Sequence, residues 1–251
     1  MFDAKNLLDQ FLGAPANNQP NQQPRTGLGG VAGGLGNAVG SHLGGIGGGA
    51  IAGGLVALLL GSKQGRKMAG TALQLGGMAV VGALAYKAYQ NWQSGKTVAQ
   101  STVESAPAGL LPAPKDTPFA PAQAEQQQSL CRHLLRAMIS AAKSDGHIDA
   151  KEQAAIFAEM DKLPLSADDK AFVMDEFRKP LDVDAVARAA ATPEEAASIY
   201  AASLLAIDVD NASERAYLGL LAARLNLDDA LVKQLHATVE DAMTPQPAMA
   251  G

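Results

Sequence analysis

Two clusters of carboxylates in the second half of the chain are the residues whose types and spacing could do chemistry. The first cluster is Asp145, Asp149 and Glu152, and the second is Asp208, Asp210 and Glu214. Carboxylate oxygens are the ligands that hard cations such as calcium and magnesium prefer. Neither cluster has the glycine and glutamate positions of an EF-hand loop. The spacing therefore indicates a divalent-cation site, calcium or magnesium, that is not an EF-hand.

A second interpretation of the same residues is helix capping. The patterns Asp149-x-x-Glu152 and Asn211-x-x-Glu214 both fit a capping box, in which the N-cap side chain and the acid three residues later satisfy backbone amides. Capping leaves Asp145, Asp208 and Asp210 without an explanation. The sequence is compatible with caps alone and with caps that also hold a cation.

Other reactive residue types do not assemble into a site. The single cysteine, Cys131, excludes an internal disulfide, and its position within a helical pattern predicts a small buried apolar side chain. The sequence shows no nucleophile–base pair and no cysteine cluster for zinc. We therefore expect a protein that is not an enzyme.

The elements that position the carboxylates are predicted to be helices. Each cluster lies in a turn between two helical patterns, and each of the two copies ends in Leu-x-Leu, at Leu163–Leu165 and Leu225–Leu227. Thr192 and Pro193 supply an N-cap and a first-turn proline for a later helix. No run of residues has the alternation of a strand. The prediction is an all-α bundle of about seven helices over 124–243, with the acidic turns near each other.

A glycine-rich apolar region over 27–92 is predicted to lie in a membrane. No charged residue occurs between Arg25 and Lys63, or between Lys67 and Lys87. The candidate spans are 43–60 and 68–86, and a helix over the first would be about 27 Å long, close to the thickness of a hydrocarbon core. Whether one or both of them span is left open. Three aromatic residues at the end of the second span and just beyond it predict an anchor at the membrane interface: Tyr86, Tyr89 and Trp92.

The glycines of this region recur at every fourth position in two series. On a helix that spacing forms two adjacent stripes, where small residues let helix backbones approach closely in a bilayer. The stripes predict packing of membrane helices and hence a homo-oligomer or a protein partner. The two series are Gly36, Gly40, Gly44 and Gly48, and Gly45, Gly49 and Gly53.

The remaining segments are predicted to be connections and ends. Residues 1–26 read as a short amphipathic helix, which would lie on a membrane or a partner helix, followed by a polar linker. Residues 93–123 read as a mobile Pro/Ala-rich linker, and 244–251 as a disordered tail. Residues 1–124 hold eight Lys/Arg against four Asp/Glu, and 125–251 hold twelve against twenty-one. Neither half is basic enough to predict nucleic-acid binding.

The acidic turns and the helix that follows the second of them carry a resemblance to a known family. The stretch Ala142–Glu152, with its Asp145-Gly146-x-Ile148 core, resembles the first signature of the tellurite-resistance TerB-like helical domain. The second half of that domain is matched by Glu214, Tyr217, Leu218, Leu221, Ala222 and Leu225. The order of glycine-rich segment, proline-containing linker and helical domain is similar to that of the YebE-like family of uncharacterised bacterial inner-membrane proteins.

The resemblance implies a helical bundle, a divalent cation on the six matching carboxylates and a cytoplasmic domain. Charge points the other way, since Lys63, Arg66 and Lys67 between the two candidate spans would place the domain outside the cytoplasm. The side of the membrane is therefore left open.

The function that we expect is a membrane-anchored, non-enzymatic interaction or sensing module. It would sit in the bacterial inner membrane, bind a protein partner under the control of a cation, and act in the envelope stress response. The alternative is a structural protein that oligomerises through its glycine stripes, with the helical domain as an accessory.

Overall fold

The structure is a computed structural model that describes residues 2–12, 76–99, 111–146, 165–207, 209 and 211–243, with single positions at 154, 156, 157 and 160. Within these residues it is all-α and has no strand, which confirms the predicted class. The helices are α1 (Ala4–Phe11), α2 (Gly77–Gln93), α3 (Ala124–Ala142), α4 (Ala167–Arg178), α5 (Val183–Ala187), α6 (Pro193–Ala206), α7 (Ala212–Arg224) and α8 (Asp229–Met243).

Helix α6 lies at the centre of the bundle. Every residue from Ala196 to Ala206 is buried, because α3, α2 and α8 all pack against this helix. Its polar side chains are satisfied locally or by a neighbour: the Ser203 hydroxyl donates to the Ile199 carbonyl (3.1 Å). The Tyr200 hydroxyl lies 2.9 Å from Nε2 of His236 on α8. A helix that is apolar on all sides is typical of such a central position.

Side-chain caps define where the later helices begin. The Thr192 hydroxyl accepts the Glu195 amide (3.2 Å), and Pro193 occupies the first turn of α6, as the sequence predicts. Ser166 and Asp169 form a reciprocal capping box at the start of α4. Each cap satisfies an amide that has no partner within its own helix.

A buried carboxylate ties α3 to α4. The Glu176 carboxylate accepts hydrogen bonds from two nitrogens of Arg136 (3.0 and 3.2 Å) and from Lys179 Nζ (2.7 Å). Burial opposes ionisation of Glu176, but these cationic donors outweigh it and lower the pKa of the carboxyl. Lys143 donates to the carbonyls of Glu176 and Lys179 and so satisfies the end of α4.

The N-terminal half of the chain contributes two helices to the same bundle. Helix α1 packs on α2 and α3, and α2 packs on α6 and α8. The sequence analysis began the helical domain at residue 124; α1 and α2, which precede that residue, pack on the same bundle. Val80, Val81 and Leu84 of α2 are fully buried against protein, so this part of candidate span 68–86 has its apolar surface covered.

Across the described residues, no helix combines the length and the apolar character needed to cross a membrane. Candidate span 43–60 and both glycine series lie outside the described residues.

The described end of the predicted linker, from residue 111 onward, also packs on the bundle. Phe119 is 4% exposed, and its ring lies 5.6 Å from the rings of both Tyr86 and Tyr89. The Tyr89 and Trp92 rings are 5.3 Å apart. Tyr86, Tyr89 and Trp92 thus pack, partly buried, against the core of the bundle. Their predicted role as an anchor at a membrane interface stays a prediction.

Candidate functional site at the ends of the glycine-rich segment

The first helix lies in a cleft between α2 and α3. Its apolar side is enclosed: Leu7 and Leu8 are fully buried and Phe11 is 2% exposed. Burying each of these side chains contributes about 1.5–3 kcal/mol. The sequence predicted an amphipathic helix here, and the structure shows that the covering surface is the protein's own bundle.

Side chains from two other helices hold the start of α1. The Asp3 amide donates to Asp169 Oδ1 (2.9 Å) and the Ala4 amide donates to Gln128 Oε1 (2.7 Å). Gln128 Nε2 in turn donates to Asp3 Oδ1 (2.8 Å), which also accepts the Asn6 amide (3.0 Å). Burial by itself would raise the pKa of Asp3. Hydrogen bonds from Gln128, Asn6 and Lys5 have the larger effect, so the pKa lies below its usual value and the carboxyl is stabilised as the anion.

The other end of α1 is joined to the start of α2. Asp9 Oδ1 accepts the amide of Gly77 (2.7 Å), and Asp9 Oδ2 accepts Lys5 Nζ (2.8 Å). The N-cap residue of α2 is Gly76, which has no side chain to satisfy that amide. Asp9 therefore caps α2 from another helix. Burial lowers the pKa of Lys5, but its partner Asp9 outweighs burial and raises it.

Glycine at position 77 allows the two helices to come this close. A Cβ built there would lie 2.7 Å from the Leu8 carbonyl oxygen and 2.9 Å from Leu12 Cδ1. Such distances exclude a larger residue unless the helices move apart. As a result, residues 13–75 begin and end at one place on the bundle, where α1 stops and α2 starts.

The predicted cation ligands are only partly described. Asp149, Glu152, Asp208 and Asp210 lie outside the described residues, and Asp145 and Glu214 lie within them. Asn211 Oδ1 accepts the Glu214 amide (2.8 Å), so the N-cap half of the second proposed capping box is present. The part of the chain that the structure describes contains no group of three or more His, Cys, Asp or Glu arranged to hold a metal. The cation site stays a prediction.

Sequence reasoning missed the residues that hold α1. The sequence analysis gave Asp169 no role, whereas in the structure it forms the capping box of α4 with Ser166 and accepts the Asp3 amide. Asp3 has a local signal, since it precedes an amphipathic pattern as an N-cap does. Asp9 and Gly77 are 68 positions apart, and no local pattern relates them.

The fold and this site define an all-α bundle protein that holds both ends of a glycine-rich segment. Residues 45–239 match the model of the family described as "Protein of unknown function (DUF533)", and the chain belongs to this family. The family is TerB-like, which confirms that part of the resemblance.

A relative from Yersinia enterocolitica carries the description "Uncharacterized protein in ampR 5'region". It is 36% identical over 96 residues, which cover 38% of this chain and 69% of the relative. No solved structure matches the chain.

Proposed function

We propose that the protein is a membrane-anchored, non-enzymatic interaction module of the bacterial inner membrane. The glycine-rich segment between α1 and α2 is the anchor, and the helical bundle is the part that binds a partner. The observation that carries the proposal is the contact between Asp9 and Gly77. This contact holds together the two helices that flank residues 13–75, a segment that has no charged residue between Arg25 and Lys63.

The position of the two ends determines how such an anchor enters the bilayer. Because residues 12 and 76 leave the bundle at the same place, the segment between them enters and leaves the membrane on the same face. The anchor is therefore a hairpin or a re-entrant segment. The bundle, including α2, lies on one side of the membrane.

Charge then indicates which side this is. Arg25 precedes the uncharged stretch, while Lys63, Arg66 and Lys67 follow it, and both flanks lead back to the bundle. The positive-inside rule places these flanks, and the bundle with them, in the cytoplasm. The opposite side follows only when 68–86 is taken as a span, as the sequence predicted. With α2 in the bundle, charge and family resemblance agree.

The partner that we propose is a protein. Residues 125–251 carry twelve Lys/Arg against twenty-one Asp/Glu, so the bundle offers an acidic surface that favours a basic partner surface. Control by calcium or magnesium through the two acidic clusters belongs to the same proposal. Calorimetric titration of the full chain, compared with an Asp145→Ala/Asp208→Ala variant, tests it, and equal heats from the two proteins would contradict it.

Vesicle flotation tests the anchor. The full chain is compared with a variant in which a short Gly/Ser linker replaces residues 13–75; the close approach of Leu12 to Gly77 lets a few residues bridge the gap. We expect the full chain to float with vesicles of phosphatidylethanolamine and phosphatidylglycerol, and the variant to remain at the bottom with its helical circular dichroism retained. Equal flotation of the two proteins would overturn the anchor.

Protease accessibility tests the orientation. In spheroplasts that contain the full chain, added protease should leave the bundle intact, and in inverted inner-membrane vesicles it should digest the bundle. Digestion in intact spheroplasts would place the bundle outside the cytoplasm and contradict the charge argument.

The second candidate function is oligomerisation through the glycine stripes. It is favoured by the recurrence of glycine at every fourth position, at Gly40, Gly44 and Gly48. Replacing these three residues with leucine should reduce the oligomer in detergent, measured by light scattering. An unchanged mass would count against it.

A further inference from the structure

Helix α1 is bound to the bundle in the way that a peptide ligand is bound to its receptor. It has eight residues, its apolar side chains are enclosed by α2 and α3, and its polar contacts are made to side chains or amides of the bundle. About 60 residues, 13–75, separate it from α2 along the chain. The bundle therefore holds α1 by contacts that do not depend on which chain supplies the helix.

The contacts of α1 are specific as well as apolar. The Asp3 and Ala4 amides each have an acceptor, Asp169 on α4 and Gln128 on α3. Phe2 lies against Phe172, with ring centroids 4.8 Å apart, and the Arg132 guanidinium stacks on Phe2 at 5.1 Å. At the far end Asp9 caps Gly77. This set fixes both the direction and the register of the helix.

A long connection reduces the advantage that the helix of the same chain has over the helix of another chain. The effective concentration of a tethered ligand is in the millimolar range for short flexible linkers and falls as the linker lengthens. The proposed anchor would in addition gather copies on a bilayer and so raise the local concentration of the helix of a second chain. Exchange of an identical element between copies then costs little, because each bundle binds the helix of the other copy through the same residues that bind its own.

We propose that α1 exchanges between copies, so that α1 of one chain fills the cleft between α2 and α3 of a second chain, and the reverse. The product is a two-fold dimer in which the contact from Asp9 to Gly77 joins the two chains. Each bundle then brings together residue 12 of one chain and residue 76 of the other, so both bundles still lie on one side of the membrane. The exchange rests on the proposed membrane anchoring for the encounter of the copies, and it names a second copy of this chain as a partner.

Cross-linking between two differently tagged full chains tests the exchange. One chain carries Phe2→Cys and the other Phe172→Cys, positions that are adjacent when α1 is docked. Both are reconstituted in the same vesicles and treated with bismaleimides of increasing length. The native Cys131 is fully buried and does not compete. A Phe2→Cys/Phe172→Cys chain identifies the shortest reagent that bridges the docked positions.

In the control pair the first chain again carries Phe2→Cys, and the second carries Ser213→Cys, at an exposed position on α7, in place of Phe172→Cys. With the reagent chosen in this way, exchange predicts several-fold more cross-linked heterodimer from the Phe2→Cys and Phe172→Cys chains than from the control pair. Equal yields would overturn the exchange. Flotation of the same samples separates the two proposals: chains that float but give equal yields contradict exchange alone. Chains that do not float yet cross-link specifically contradict the anchor alone.

Discussion

Asp9 Oδ1 and the amide of Gly77 are 2.7 Å apart and join the last turn of α1 to the first turn of α2. The contact gives α2 a cap that its own N-cap residue, Gly76, has no side chain to provide. It also brings together the two ends of the glycine-rich segment. One hydrogen bond thus connects the stability of the bundle with the placement of the proposed anchor.

Replacing Asp9 with alanine should destabilise the protein by about 1–2 kcal/mol, because the Gly77 amide loses its cap and Lys5 loses its partner. Asp9→Asn keeps an acceptor oxygen and should cost less. Urea denaturation followed by circular dichroism measures both variants. Asp175→Ala, at an exposed acid on α4, is the control and should change stability little. Equal effects of Asp9→Ala and Asp175→Ala would refute the assigned role of Asp9.

Two glycines should respond to alanine with opposite signs. A Cβ at Gly82 would collide with the Phe119 carbonyl oxygen, so Gly82→Ala should destabilise by about 1–3 kcal/mol. Gly219 lies within α7 and a Cβ there would meet no atom within 4 Å. Gly219→Ala should therefore stabilise by about 0.5–1 kcal/mol through helix propensity. Thermal melts of the two variants provide the comparison. A higher melting temperature for Gly82→Ala would show that segment 111–123 does not pack on α2 as described, and a lower one for Gly219→Ala would contradict the helix-propensity argument.

The thiol of Cys131 should report on the docking of α1. The side chain is fully buried, and burial, with the nearby Asp9 and Asp3 carboxylates, raises the pKa of its thiol to about 12. Because the thiolate is the reactive form, modification by a disulfide reagent in the native protein requires opening of the structure.

Leu8→Ala, which weakens the docking of α1, should accelerate modification of Cys131 many-fold. Leu220→Ala, at a leucine that is 45% exposed on α7, should leave the rate nearly unchanged. The release of the reagent's chromophore gives both rates. An unchanged rate for Leu8→Ala would show that docked α1 does not shield the Cys131 thiol from the reagent.

Stability should fall as the pH is lowered below about 6.5. Burial lowers the pKa of His133 and of His236, so between 6.5 and those lower values the unfolded chain binds more protons than the folded chain. The stabilisation is complete above the unfolded pKa and is lost progressively as the pH falls toward the folded values. Urea midpoints measured across this range test the sign. The His236→Gln variant should show a shallower dependence than the parent, and an equal or steeper one would exclude His236 as a contributor.

The sequence by itself determined the class of the fold and the local details of its helices. Thr192 and Pro193 predicted the start of α6, and the helical pattern around Cys131 predicted the burial of this side chain within α3. These features could be recognised because caps and helical periodicity depend on residues a few positions apart. The same locality explains why Asn211 was identified as a cap.

Only the tertiary structure decided where α1, α2 and the aromatic residues belong. An apolar helix that contains glycine can be covered by lipid or by other helices, and its own sequence does not distinguish between the two. Contacts between Asp9 and Gly77, and between Tyr86 and Phe119, join residues far apart in the chain. Such pairs leave no periodic signal, because their geometry exists only after the helices have packed.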